Sequence, residues 1–271
     1  MMRFRRAVIA IVGIGMIVAQ GGRVVVGAAT EPAEMRAAAT RPATTRPAVQ
    51  QPADIPAPKL GKDQKIDPRF LEMHESFLRR RTEGPIDLLF LGDSITEIWG
   101  SNGKEVWAKY YGKLNAANFG ISGDQTQHVL WRIQNGELDG ISPKVVVLMI
   151  GTNNLTRYPA AAIVRADKLI VERIHEKLPN TKVLLLGIFP RGADPKAHGT
   201  AFYRAKIKVV NAGLATLDDG DKTRYLDIGD KFLDADGSLP RAVMPDFLHP
   251  SAAGYQIWAD SMAPLLNSMM K

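Results

Sequence analysis

The 271-residue chain is 45% apolar, enough for a sizeable core, and it contains no cysteine, which excludes disulfide frameworks, thiol nucleophiles and thiolate metal sites. Its formal charge of +7 is concentrated near the start. Residues 61–271 hold 27 basic and 25 acidic side chains, which excludes the basic face of a nucleic-acid-binding domain.

The first segment reads as a leader. Met1 to Arg6 carries three arginines, Ala7 to Ala19 is an unbroken apolar and glycine run, and Val26-Gly27-Ala28 offers the small residues that a signal peptidase accepts. That run is well short of the ~20 residues of a membrane span, which favours a cleaved signal peptide over residues 1–28 against a retained anchor. The expected destination is outside the cytoplasm, whether periplasm, cell envelope or medium, with membrane contact limited to the leader.

From Ala29 to Leu60 there are nine alanines, six prolines and no aromatic residue, and Thr40-Arg41-Pro42-Ala43 nearly repeats as Thr45-Arg46-Pro47-Ala48. Such a composition buries too little apolar surface to offset its ordering entropy, so residues 29–60 are expected to form a disordered linker.

Beyond Gly61 short apolar runs alternate with helical periodicity. Ile86 to Leu91, Val145 to Ile150 and Val183 to Ile188 are nearly continuous in branched aliphatic residues, as for strands covered on both faces; Leu114 to Phe119 and Arg224 to Ile228 are weaker candidates. Ile163, Ala166, Ile170, Ile174 and Leu178 lay one stripe along a helix from about Ala160, and further helices are expected over Phe202 to Leu217 and Ala252 to Leu266. Strands alternating with helices predict one three-layer α/β domain over residues 61–271, a five-stranded parallel sheet with helices on both faces.

In open parallel sheets the ligand site lies beyond the carboxyl ends of the strands. Gly92-Asp93-Ser94, Gly120-Ile121-Ser122-Gly123-Asp124 and Gly151-Thr152-Asn153 each follow one of these runs. Ser94 can be a nucleophile or a helix N-cap. The distant partners favour the nucleophile, because a serine hydroxyl attacks only when a positioned imidazole removes its proton. Gly123 can offer a backbone N–H and Asn153 a side-chain amide to a developing oxyanion, although a turn glycine and an Asx turn are common alternatives.

Of five histidines, only His249 has an aspartate, Asp246, three residues before it in a short Pro-bounded segment, so Asp246 can orient the ring that serves Ser94. His74 and His175 read as solvated helix faces, His128 as packed or hydrogen-bonded, and His198 as a surface residue near the rim. Asp234-Ala235-Asp236-Gly237 lacks the later acidic ligand of a calcium loop and reads as a turn.

Together Gly92-Asp93-Ser94, the Gly123 loop, Gly151-Thr152-Asn153 and Asp246-x-x-His249 resemble the four sequence blocks of the SGNH (GDSL) hydrolases. The string from Asn118 to Leu138 more narrowly resembles the catalytic subunits of platelet-activating-factor acetylhydrolase type Ib. The resemblance implies a flavodoxin-like sheet, a serine esterase with Ser94, His249 and Asp246 as catalytic residues, an oxyanion hole from the N–H groups of Ser94 and Gly123 plus the Asn153 amide, and no metal or other cofactor. Ser122 stands where those relatives usually have glycine. Export and the Ala/Pro segment are foreign to them, so their phospholipid substrate and partner protein are not carried over.

Ile95, Thr152 and Leu248 adjoin catalytic positions and are expected to crowd the acyl side, favouring a short acyl group such as acetyl. Export with a polar tether suggests an acetylated carbohydrate as substrate. An O-acetyltransferase using the same serine and a non-catalytic carbohydrate-binding protein on this scaffold are the competing readings. Oligomeric state is left open, a homodimer included.

Overall fold

A computed structural model describes residues 50–271. The expected leader and most of the expected linker therefore lie outside the described residues.

Five strands form one parallel sheet: β1 (Leu88–Gly92), β2 (Ala116–Gly120), β3 (Val145–Met149), β4 (Lys182–Leu186) and β5 (Thr223–Leu226), in the order β2-β1-β3-β4-β5. All neighbours pair parallel and in register, Leu88 facing both Ala116 and Val145. β1 and β3 are buried along their whole length, which is why they read as uninterrupted apolar runs. The order also places the carboxyl ends of β2, β1 and β3 side by side, with the strand that leads to Ser94 in the middle.

Among the described residues seven α-helices accompany the sheet: α1 (Pro68–Arg80), α2 (Ser94–Glu97), α3 (Lys104–Tyr110), α4 (Thr126–Gln134), α5 (Ala160–Lys177), α6 (His198–Ala215) and α7 (Ala252–Met269). α1 starts at a strong signal, with Asp67 accepting from Phe70 N–H and Pro68 in the first turn, where its missing N–H costs nothing. The stripe read on α5 is the buried one, from Ile163 to Ile174, and Leu178 follows as the C-cap.

The sheet separates two cores of different character. On one face Leu89, Leu91, Val146, Leu148, Val183 and Leu185 meet the apolar sides of α4, α5 and α6. On the other, Leu88, Phe90, Val147 and Leu184 meet an aromatic assembly that includes Trp99, Tyr111, Tyr255 and Trp258. Trp99 lies 4.3 Å from the Tyr255 ring and 4.9 Å from that of Trp258, centroid to centroid, at the close end of the separations favoured by tilted aromatic pairs. This second core fastens α7, and with it the loop that carries His249, to the region just after Ser94.

Residues 50–60, expected to belong to the linker, are instead bound to the domain. Ala53 is buried in the first core, its carbonyl accepts from the Thr126 hydroxyl at 2.8 Å, and Ala57 N–H donates to Gln127 O at 3.1 Å. Asp67 N–H donates to Lys59 O, Gly61 N–H to Lys65 O, and Leu60 bridges Ile66 in an antiparallel pair. Composition misjudged residues 50–60 because their order comes from backbone hydrogen bonds to the domain and one buried small side chain, neither of which registers as apolar content.

Candidate active site

β1 ends at Gly92, where a side chain would be impossible: a Cβ there would lie 2.2 Å from Thr96 Oγ1 and 2.4 Å from Met149 O. Glycine therefore lets the chain turn from strand into α2 at contact distance. Asp93 caps that turn, its Oδ1 accepting from Ile95 N–H at 3.0 Å, and Ser94 is the first helical residue.

Ser94 Oγ lies 2.9 Å from His249 Nε2, although 155 residues separate them. His249 Nδ1 lies 2.6 Å from Asp246 Oδ2. An ionised carboxylate can only accept, so the ring proton sits on Nδ1 and the Nε2 lone pair faces the serine hydroxyl. That is the protonation pattern of a general base.

The three-residue spacing works because Phe247 adopts the left-handed conformation (φ 59°), which folds the segment back on itself. Asp246 Oδ1 then accepts from the N–H groups of Leu248 (3.1 Å) and His249 (2.8 Å) while Oδ2 holds the ring. Partial burial pushes the Asp246 carboxyl up, but those N–H groups and the imidazole outweigh it and hold the group below its ordinary value. Arg241 stacks on the Phe247 ring, 4.3 Å from its centroid, and Gly192 N–H donates to Phe247 O. Tyr255 OH donates to Ile95 O at 2.7 Å, tying α7 to the nucleophile turn.

The loop after β2 presents Gly123 in the left-handed region (φ 76°), and the loop after β3 presents Asn153. Among the described residues no protein acceptor takes the backbone N–H of Ser94 or Gly123. Asn153 Nδ2 donates to Asp124 O at 2.9 Å, with Asp93 Oδ2 at the edge of reach at 3.5 Å. Gln125 Nε2 donates to Asn153 O and Asn154 Oδ1 accepts from Thr126 N–H, so the two loops are stitched together.

Behind them lies a buried ionic cluster. Arg132 donates to Phe119 O (3.0 Å), Gly92 O (3.2 Å) and Glu137 Oε2 (2.7 Å). Its Nε sits 2.9 Å from Asp124 Oδ2 but is poorly aligned for a hydrogen bond, so that contact is charge pairing. One guanidinium thus joins the ends of β1 and β2 to the oxyanion loop. Glu137 Oε1 in turn meets His74 Nδ1 at 2.8 Å.

That contact corrects the reading of His74, which is buried and not on a solvated face. His175 is corrected too: it is half-buried, with Nε2 2.9 Å from Thr223 Oγ1. Both errors have one cause, since the partners lie 63 and 48 residues away and leave no trace in local spacing. His128 is buried and its Nδ1 accepts from Gln125 N–H, capping α4, while His198 is exposed at the start of α6. Gly237 N–H donates to Asp234 O, closing the expected turn.

The expected acyl-side residues divide. Ile95, only 1% exposed, belongs to the core of Trp99 and Tyr255, so it cannot crowd a substrate. Its position three residues after the β1 terminus turns it inward. Thr152 is buried as well, its carbonyl 3.3 Å from Arg191 Nη1. Leu248 alone is partly exposed. Sequence reasoning passed over Arg132, Arg191 and Lys59; the Asn118 to Leu138 string contains the first, but nothing local marks the other two.

Residues 90–257 match the GDSL-like Lipase/Acylhydrolase family. The chain is 36% identical over 195 residues to human "Platelet-activating factor acetylhydrolase IB subunit alpha1", covering 72% of this chain and 81% of that protein. It is 37% identical over 199 residues to the mouse alpha2 subunit, covering 73% and 83%. A solved GDSL-like lipase from Bacteroides thetaiotaomicron superposes with a TM-score of 0.60 over 72% of this chain and 97% of that one, at 19% identity, a likeness of fold.

Proposed function

Since the chain belongs to the GDSL-like lipase/acylhydrolase family, we propose that it is a serine esterase that removes short acyl groups, acetyl foremost, from a carbohydrate outside the cytoplasm. The observation that carries this reading is the line from Asp246 Oδ2 through His249 to Ser94 Oγ, with spans of 2.6 and 2.9 Å.

In the proposed reaction His249 Nε2 takes the Ser94 proton as Oγ attacks the ester carbonyl, and the positive imidazole is held by Asp246. The carbonyl oxygen, now negative, is met by the N–H groups of Ser94 and Gly123 and the Asn153 amide; each such donor is worth about 10²- to 10³-fold in rate. The imidazolium returns its proton to the leaving alcohol. Water, deprotonated by the same ring, then hydrolyses the acyl-serine.

The acetyl preference draws on the acetylhydrolase name of the relatives and on Leu248 beside the base. The carbohydrate and export parts draw on the leader-like start and polar tether. Acetate release by the full chain from acetylated sugars, xylan and short-chain phospholipids tests the substrate. Fluorophosphonate labelling tests the nucleophile: the wild type labels and Ser94→Ala, equally folded by circular dichroism, does not. Labelling that persists in Ser94→Ala overturns the assignment.

A further inference from the structure

Beside the oxyanion loops lies an open cavity of about 640 Å³ that the proposed mechanism does not use. Gly123 and Asn153 form part of its wall; Gln50 and Lys59, from the segment that composition had marked as tether, contribute another part together with Gln64, and Arg157 lies farther along. Its chemistry is one-sided. Among the described residues the lining includes two cationic side chains and several carboxamides, and no aspartate or glutamate.

Lys59 is placed with care. Its backbone carbonyl is held by Asp67 N–H, and its ammonium donates to Ser122 O, close enough to Gly123 that a Cβ there would lie 2.9 Å from Nζ. One of three N–H bonds is used in this way, so two remain for a ligand. The Arg157 guanidinium has no ion-pair partner among the described residues; its backbone carbonyl accepts from Gln50 Nε2. Nearby carboxylates are engaged elsewhere: Glu97 by Arg69 and Ser122 N–H, Asp54 by Arg165, and Asp63 by Lys65 N–H.

Carboxamides carry both donors and acceptors, which suits vicinal hydroxyls, whereas uncompensated cations suit a carboxylate. We propose that this cavity binds the alcohol part of the ester and selects a hydroxyl-rich moiety bearing a carboxylate, a uronate-type sugar, with Lys59 and Arg157 as its charge readers. The inference rests on the serine-esterase reading for its catalytic consequence, but the binding site stands or falls separately.

The test uses the full chain and compares mono-O-acetylated methyl glucuronide with the matching uncharged methyl glucoside. Wild type is expected to favour the uronate about tenfold in kcat/KM at low ionic strength, the preference shrinking as salt screens it. In Lys59→Met and in Arg157→Met the uronate-to-glucoside ratio falls several-fold, and in the double variant it approaches one, whatever happens to either absolute rate. A wild-type ratio near one, or a ratio unmoved by both substitutions, overturns the proposal. A preference instead for 4-nitrophenyl hydrogen succinate over 4-nitrophenyl acetate, with no uronate preference, would move the charge to the acyl side and overturn the alcohol-side assignment.

Direct titration with methyl glucuronide by NMR separates the two readings. Binding that Arg157→Met weakens, without hydrolysis of any ester, keeps the site and removes the esterase. Hydrolysis of neutral esters without glucuronide binding does the reverse.

Discussion

The two halves of the proposed catalytic apparatus are held by different means. Ser94 is buried where three neighbouring strand ends meet, backed by the Arg132 cluster and the stitched loops that carry Gly123 and Asn153. His249 and Asp246 lie on a four-residue turn outside the sheet, with the Asp246 side chain 56% exposed. The nucleophile side is thus a property of the fold, whereas the base side is a local turn, shaped by its own backbone N–H groups and one left-handed residue and pinned to the domain from outside by Gly192 N–H and the packing of α7. Damage to the first should unsettle the whole domain, and damage to the second should silence chemistry while leaving the domain intact.

Asp246→Asn should break this contrast most visibly. The amide can still accept the Leu248 and His249 N–H groups, but its NH₂ cannot accept the ring proton, so the tautomer is wrong. A fall in kcat of about 10⁴-fold is expected with little change in thermal midpoint. Assay on 4-nitrophenyl acetate and a melting curve decide it, and equal losses in both would erase the distinction.

Arg132→Met is the counterpart on the buried side. It strips Asp124 and Glu137 of their cation and frees two strand-end carbonyls, so a loss of up to about 5 kcal/mol in unfolding free energy is expected from denaturant titration. Activity should fall with it.

Asp93 supplies a pH readout of the same region. Burial raises its carboxyl to about 7, with Asp124 adding to the rise and the Ile95 N–H and Arg191 opposing it. Between about pH 4 and 7 the folded chain therefore keeps a proton that the unfolded chain has released. The contribution is fully present below the unfolded value of 3.8 and is lost as pH climbs through about 7, a change of roughly 4 kcal/mol. Asp93→Asn, which can still cap Ile95 N–H, should flatten that part of the decline in unfolding free energy between pH 4.5 and 8. An unchanged slope would show that the carboxyl is already ionised at low pH.

The smallest effect belongs to the exposed side. Leu248→Ala opens space beside the base, so longer nitrophenyl esters should gain on acetate by about 1–3 kcal/mol in kcat/KM, with stability barely moved. A fixed chain-length profile would take Leu248 out of the pocket.

How far each half was legible follows the same division. β1, β3 and β4 were plain because doubly covered strands leave unbroken aliphatic runs. β2 was fainter because Asn118 interrupts it to donate to Thr96 O. Ser94, Gly123, Asn153, Asp246 and His249 could be picked out because each sits at a strand end or in a short motif. Ile95 was misjudged because adjacency in sequence says nothing about which way a helical side chain turns. His74 and Lys59 were misjudged because their settings are made by residues more than 60 positions away.

Gln50 lines the cavity, and Gln51 O accepts from Tyr158 OH. Trimming the chain to Gly61, where composition alone would start the domain, would therefore tear out one bank of the cleft together with Lys59.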